Sequence, residues 1–139
     1  MPILTLKTAP LIDTAARAPL AQALTDITQR TLGKRREVTA VVIEDLPASS
    51  WAVGGDMAAK PTVFLEISIT AGTNTAGEKA AFIAAAWAEL QRQLGGSAGL
   101  APASYIVVRE LPASDWGWGG RTQAARQLDR QADLAAASA

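Results

Sequence analysis

Apolar and polar residues alternate along this chain in two periods, and the succession of periods occurs twice. Ile3-Leu4-Thr5-Leu6-Lys7 reads as a short strand that Pro10 ends. Leu20, Ala23, Leu24, Ile27, Thr31 and Leu32 then fall on one face at helical spacing. Proline is tolerated only in or near a helix's first turn, so Pro19 places the helix start around Ala16. Gly33 supplies the stop. Lys34-Arg35-Arg36 follows, beside the negative end of the helix, where cations are favoured. Val38 to Ile43 is the second strand, apolar at successive positions, which predicts burial on both faces. Pro47, Ser49, Ser50 and the pair Gly54-Gly55 mark turns around a small apolar arm, Trp51 and Val53.

The pattern then restarts. Val63, Leu65, Ile67 and Ile69 alternate with Phe64, Glu66 and Ser68, a strand signature. Thr75 and Glu78 form a capping box for a helix with Phe82, Ile83, Ala86, Leu90 and Leu94 on its core face. Gly95 and Gly96 close it, and Tyr105 to Val108 is the fourth strand. The stretch Leu46-Pro47-Ala48-Ser49-Ser50-Trp51-Ala52-Val53-Gly54-Gly55 returns as Leu111-Pro112-Ala113-Ser114-Asp115-Trp116-Gly117-Trp118-Gly119-Gly120. Met1-Pro2 has its counterpart in Lys60-Pro61. Agreement in order, element type and residue marks an internal repeat. The repeat divides one domain of 139 residues into units 1–59 and 60–123. An Ala-rich, polar stretch, 124–139, is left over as either a terminal helix or a loose tail.

Two strands joined by a helix run parallel with a right-handed crossover. The expected fold is therefore α+β (α/β): two tandem β-α-β units in a four-stranded sheet, with both helices on one face. The strands look apolar on both sides, so the bare face is expected to be covered by another copy in an obligate oligomer.

Thirteen basic residues balance thirteen acidic ones, so nothing points to a nucleic-acid partner. No apolar run reaches the length of a membrane span, and Lys7, Pro10 and Asp13 interrupt any leader pattern; a cytoplasmic protein is expected. With no cysteine and no histidine, disulfides, thiolate chemistry and histidine dyads are excluded, and a zinc site is not expected. Catalysis is left to carboxylates, Lys, Arg, Tyr or a terminal amine. Proline at position 2 is small enough for the initiator methionine to be removed, which leaves Pro2 with a free secondary amine. An α-amino group titrates near ~7.7–8.0, and burial lowers that further. A base with a pKa near the working pH is the most effective.

Met1-Pro2, the β-α-β repeat and the Trp-x-x-Gly-Gly arms at Trp51 and Trp116 together resemble the tautomerase superfamily, in its 4-oxalocrotonate tautomerase group. The resemblance covers residues 1 to about 123. It is closest in pattern to members that fuse two short units in one polypeptide. Gly72-Thr73-Asn74-Thr75 and the segment Trp118 to Gln123 look typical of a bacterial subgroup. The resemblance implies the tautomerase fold, a homotrimer, no cofactor and no metal. It implies keto–enol isomerisation of a small α-keto acid or enol, with Pro2 as base and then acid. Pro61 holds the same place in the second unit but lies within the chain and has no free amine.

By the same resemblance, Trp51 and Trp116 match the family's pocket aromatic. The two family arginines fall on Ile12 and Ala40 in the first unit, and on Thr73 and about Tyr105 in the second. Another group must then stabilise an enolate. The candidates are Lys7, Lys34, Arg35, Arg36, Arg109 and Arg121, with Tyr105 and Asn74 as neutral donors near family site positions. Two other readings stay open: a non-catalytic oligomeric scaffold, and proline-dependent hydratase- or decarboxylase-type chemistry.

Overall fold

A computed structural model describes residues 1–138. In its first half, β1 (Ile3–Ala9) leads through a 3-10 turn at Thr14–Ala16 into α1 (Arg17–Leu32), then β2 (Ala40–Asp45) and a hairpin of β3 (Ala52–Val53) and β4 (Asp56–Met57). The second half repeats the order: β5 (Thr62–Thr70), α2 (Ala76–Leu94), β6 (Tyr105–Leu111) and a hairpin of β7 (Gly117–Trp118) and β8 (Arg121–Thr122). α3 (Gln123–Ser138) ends the described chain.

The sheet order is β2-β1-β5-β6. β1 runs parallel to β2 and β5 parallel to β6, while the central pair β1–β5 is antiparallel, with Leu6 opposite Leu65. Alternation along the central strands sends Leu4, Leu6, Val63, Leu65, Ile67 and Ile69 to one face, all buried. Leu20, Leu24 and Ile27 of α1, with Phe82, Ala86 and Leu90 of α2, close over them. At ~25 cal/mol per Å² of apolar surface buried, this two-layer core is the main stabilising term of the fold.

The local signals act where the residues place them. Pro19 sits in the first turn of α1, and Gly33 ends it at φ 66°, a left-handed conformation open to glycine. The capping box closes both ways: Glu78 N–H donates to Thr75 Oγ1, and Thr75 N–H donates to Glu78 Oε1.

Three expectations change. Ile83 is 40 % exposed, because the stripe Phe82–Ala86–Leu90 faces the core and Ile83 lies about 100° round the helix from Phe82. The second strand is Ala40–Asp45, since Val38 belongs to a 3-10 turn, Arg36–Val38. β2 is an edge strand that alternates between exposed and half-buried residues, with Val42 43 % exposed, rather than one buried on both sides within the chain. Of the two readings left for residues 124–139, the helical one holds through Ser138.

The sheet's other face is uncovered within the chain. It carries exposed Ile3, Val42 and Tyr105. It also carries Lys7, Glu44, Glu66 and Arg109, so it is more polar than the sequence pattern suggested. Glu66 and Arg109 pair across β5 and β6 at 3.3 Å.

Candidate active site

The parallel pairing of β1 with β2 decides what surrounds the amino terminus. Ala40 N–H donates to the Pro2 carbonyl at 3.2 Å, which draws the loop between α1 and β2 alongside the first residues. That loop holds Gly33, Lys34 and Arg35. Antiparallel pairing of β1 with β5 brings up the end of β5 and the turn after it, with Thr70 and Thr73. α3 lies across the opening. The result is a cavity of about 220 Å³ whose lining includes Met1, Lys34, Arg35, Thr70, Thr73 and Trp118, with Gln123, Gln127 and Arg130 from α3. Pro2 itself is buried.

The electrostatics of this cavity favour anions. Lys34 Nζ donates to Thr73 Oγ1 at 2.9 Å, and the Thr73 hydroxyl donates to the Thr70 carbonyl at 2.6 Å. Burial lowers the Lys34 pKa from its ordinary value, opposed by the negative charge of Glu78. Arg35 is balanced locally by Glu37 at 2.8 Å. The amine of Met1 is pushed below its ordinary value, first by burial and then by the positive charges of Lys34, Arg130 and Arg35. Any amine at this chain end meets the same two effects: a poorly solvated cation is disfavoured, and like charges repel it.

The residues singled out in the sequence are distributed as follows. Pro2, Lys34 and Arg35 come together at the amino terminus. Trp116 stands behind that cavity's wall, its Nε1 donating to Thr70 Oγ1 at 3.2 Å. Asn74 Nδ2 donates to the Leu32 carbonyl at 2.9 Å, at the C-terminal end of α1. Arg36 pairs with Asp26 and Arg121 with Asp129 on the surface. Arg109 lies on the open sheet face with Glu66. Lys7, Trp51 and Tyr105 line a larger cleft, about 620 Å³, at the opposite end of β1 beside Phe64. Size favours that cleft, but it spreads over the uncovered sheet face and holds no terminal amine, so the smaller cavity is the candidate site.

The second unit's counterpart of the site has no cation in its lining, and Asp13 joins it. Pro61 lines a hollow with Pro10, Leu11, Ile12 and Leu94, and neither Lys nor Arg joins its lining. The repeat therefore keeps the fold at both ends while concentrating the cations at one.

The sequence did not single out Trp118, Gln123, Gln127 or Arg130 as site residues. The signal available was spacing, since Gln123, Gln127 and Arg130 lie at i, i+4 and i+7 on one face of α3. Trp118 is fixed by Arg126, whose guanidinium lies 3.5 Å from the ring centroid and donates to the Trp118 carbonyl at 2.8 Å. Among the described residues no group of three or more Asp or Glu is placed to hold a metal ion, and no helix is long and apolar enough to cross a membrane.

Residues 2–60 match the Tautomerase family model, described as tautomerase enzyme. Among solved structures, a native fused 4-OT shares 25 % identity over 88 % of this chain and 97 % of its own, with a TM-score of 0.74. A wild-type fused 4-OT that is a symmetric trimer shares 23 % identity over 89 % of this chain and 98 % of its own, with a TM-score of 0.77. A macrophage migration inhibitory factor-like protein from Entamoeba histolytica shares the fold at 16 % identity, covering 87 % of this chain and 97 % of its own, with a TM-score of 0.69. No curated protein matches the sequence.

Proposed function

We propose that this chain, which matches the tautomerase family model over residues 2–60 and shares the fold of fused 4-OT structures, is a cofactor-independent keto–enol tautomerase of two fused units with Pro2 as its base. The observation that carries this reading is the cationic, partly buried setting of the chain's amino end. Once Met1 is removed, the Pro2 nitrogen becomes a secondary amine in that setting. Burial and the charges of Lys34, Arg130 and Arg35 lower the Met1 amine from its ordinary value, and the same effects act on an amine at Pro2.

In the ketone-to-enol direction, the neutral Pro2 nitrogen takes a proton from the carbon beside a carbonyl. The electron pair of that C–H bond becomes the new C=C bond, and the carbonyl π pair moves onto oxygen. Protonated Pro2 then returns the proton, to oxygen for the enol or to carbon for the ketone. Nothing is oxidised or reduced. The charge developing on oxygen falls among Lys34, Arg35 and Arg130, which are in place before reaction and need little reorganisation. With Met1 still attached, the Pro2 nitrogen is an amide and has no basicity, so removal of Met1 switches the chemistry on.

Pro61 has no free amine in any form of the chain, so the reaction runs at one site per chain. The uncovered sheet face, with Ile3, Val42 and Tyr105 exposed, supports assembly as a homotrimer that buries it. In that assembly Trp51, Tyr105 and Arg109 lie at or near contacts between copies.

The test is ketonisation of enolpyruvate by protein whose intact mass shows Met1 removed. Pro2→Ala is expected to lower the rate about 10²-fold, the lower end of what a positioned base contributes, because alanine leaves a primary amine in place. An unchanged rate would refute the assignment of Pro2.

A further inference from the structure

The cavity at the amino terminus is built in part by an element outside both repeats. α3 is held over it by backbone bonds from Gln123 N–H to the Trp116 carbonyl at 2.9 Å and from Ala124 N–H to the Ala113 carbonyl at 2.8 Å. The stacked pair Trp118–Arg126 and the ion pair Arg121–Asp129 add to this hold. The helix face so presented carries Gln123, Gln127 and Arg130.

Two features of that face are unexplained by folding alone. Gln123 is only 4 % exposed, yet its side-chain Nε2 has no hydrogen-bond partner. An unpaired buried amide donor is a net cost that native structures rarely carry without a reason. Arg130, in turn, makes no ion pair among the described residues, although Arg121 and Arg126 before it in the chain are both engaged. With Arg35 balanced by Glu37, Lys34 and Arg130 are the cavity's two side-chain cations without an acid in contact among the described residues.

We propose that α3 completes an anion-recognition site at the amino terminus, in which Arg130 binds the carboxylate of a small 2-oxo monocarboxylate while Gln123 and Lys34 donate to its carbonyl oxygen. This rests on the reading of the cavity as a reaction site and names the residues of α3 that would hold its substrate. A planar guanidinium suits a carboxylate, which accepts two parallel N–H bonds from it. An ammonium and an amide N–H suit a single oxygen that gains charge in the transition state. Two uncompensated cations match one carboxylate and one developing oxyanion, and leave no partner for a second carboxylate. The hollow at Pro61, without α3 and without cations, is not expected to bind such an anion.

The experiment is calorimetric titration of the full-length, Met1-processed protein with pyruvate, a 2-oxo monocarboxylate whose binding is read as heat. Wild type is expected to bind it, and 2-oxoglutarate no more tightly. Arg130→Ala is expected to weaken pyruvate binding about tenfold or more, with Arg130→Lys recovering part of the loss. Gln123→Leu is expected to weaken it by a smaller factor. Arg130 is exposed on α3, so its replacement leaves the fold intact by circular dichroism even if the buried Gln123→Leu does not. Pyruvate binding unchanged in Arg130→Ala, or absent in wild type, would overturn the proposal. A wild type that binds pyruvate through Arg130 but does not ketonise enolpyruvate would sink the tautomerase reading and leave the anion site standing.

Discussion

Asn74 was a candidate for holding substrate, and its geometry gives it another task. Its Nδ2 donates to the carbonyl of Leu32, in the last turn of α1, where the final carbonyls have no partner within the helix. One residue after Leu32 the chain turns at Gly33, and the next two side chains are the cavity's Lys34 and Arg35. The neighbouring contact from Lys34 Nζ to Thr73 Oγ1 ties the same loop to the same turn. Replacing Asn74 by alanine removes one neutral hydrogen bond and leaves a carbonyl on a buried residue short of a donor, a loss of about 1 kcal/mol. With a urea slope of about 2 kcal/mol per M, the unfolding midpoint falls by about 0.5 M, or the melting temperature by about 3–5 °C. Wild type and variant are compared at equal chain concentration, because assembly adds a concentration-dependent term. Asn74→Asp is expected to be at least as damaging, since a carboxylate cannot donate and faces the negative end of a helix. KM for enolpyruvate is expected to rise only slightly. An unchanged midpoint together with a large rise in KM would refute the structural role and return Asn74 to the substrate site.

Phe82 is fully buried between α2 and the sheet, so Phe82→Ala is expected to lose about 3–5 kcal/mol in urea titration, and a loss under about 1 kcal/mol would mean that the helices do not pack as described. Glu89 is held at about 2, well below its ordinary 4.5, first by the Arg92 guanidinium and then by the Gln93 amide. A carboxyl depressed in the folded state contributes stability above its unfolded pKa, and that contribution is lost as pH falls through the folded value. Glu89→Gln is therefore expected to be less stable than wild type at pH 7, by under about 1 kcal/mol for so solvated a pair, with the difference closing between pH 4.5 and 2. A difference that stays constant across that window contradicts the ion-pair origin.

Local chemistry made much of the fold legible. Pro19, Gly33 and the Thr75–Glu78 box each act within a turn of the chain, and the alternation from Val63 to Ile69 is set by strand geometry alone. The candidate site was less legible because it is assembled from distant segments. Lys34 and Arg35 looked like a solvated helix end, and only the parallel pairing of β2 beside β1 carries them to the amino terminus. Asn74 and Tyr105 were separated from each other by pairing registers that no local pattern reveals. α3 was the hardest element to read. Its apolar residues are mostly alanine, and Leu128 and Leu134 are 66 % and 69 % exposed, so no buried stripe marks its direction. What positions it is polar: backbone bonds to the second hairpin and a cation stacked on Trp118.

The proposed chemistry depends most on the state of one nitrogen. The direct measurement is a pH titration of the Pro2 ring nitrogen by ¹⁵N NMR, on protein whose mass shows Met1 removed. The expected result is an amine that titrates below the usual ~7.7–8.0 and moves upward when Lys34 or Arg130 loses its charge. An amine at or above the ordinary value, insensitive to both substitutions, or a chain that keeps Met1, would contradict it.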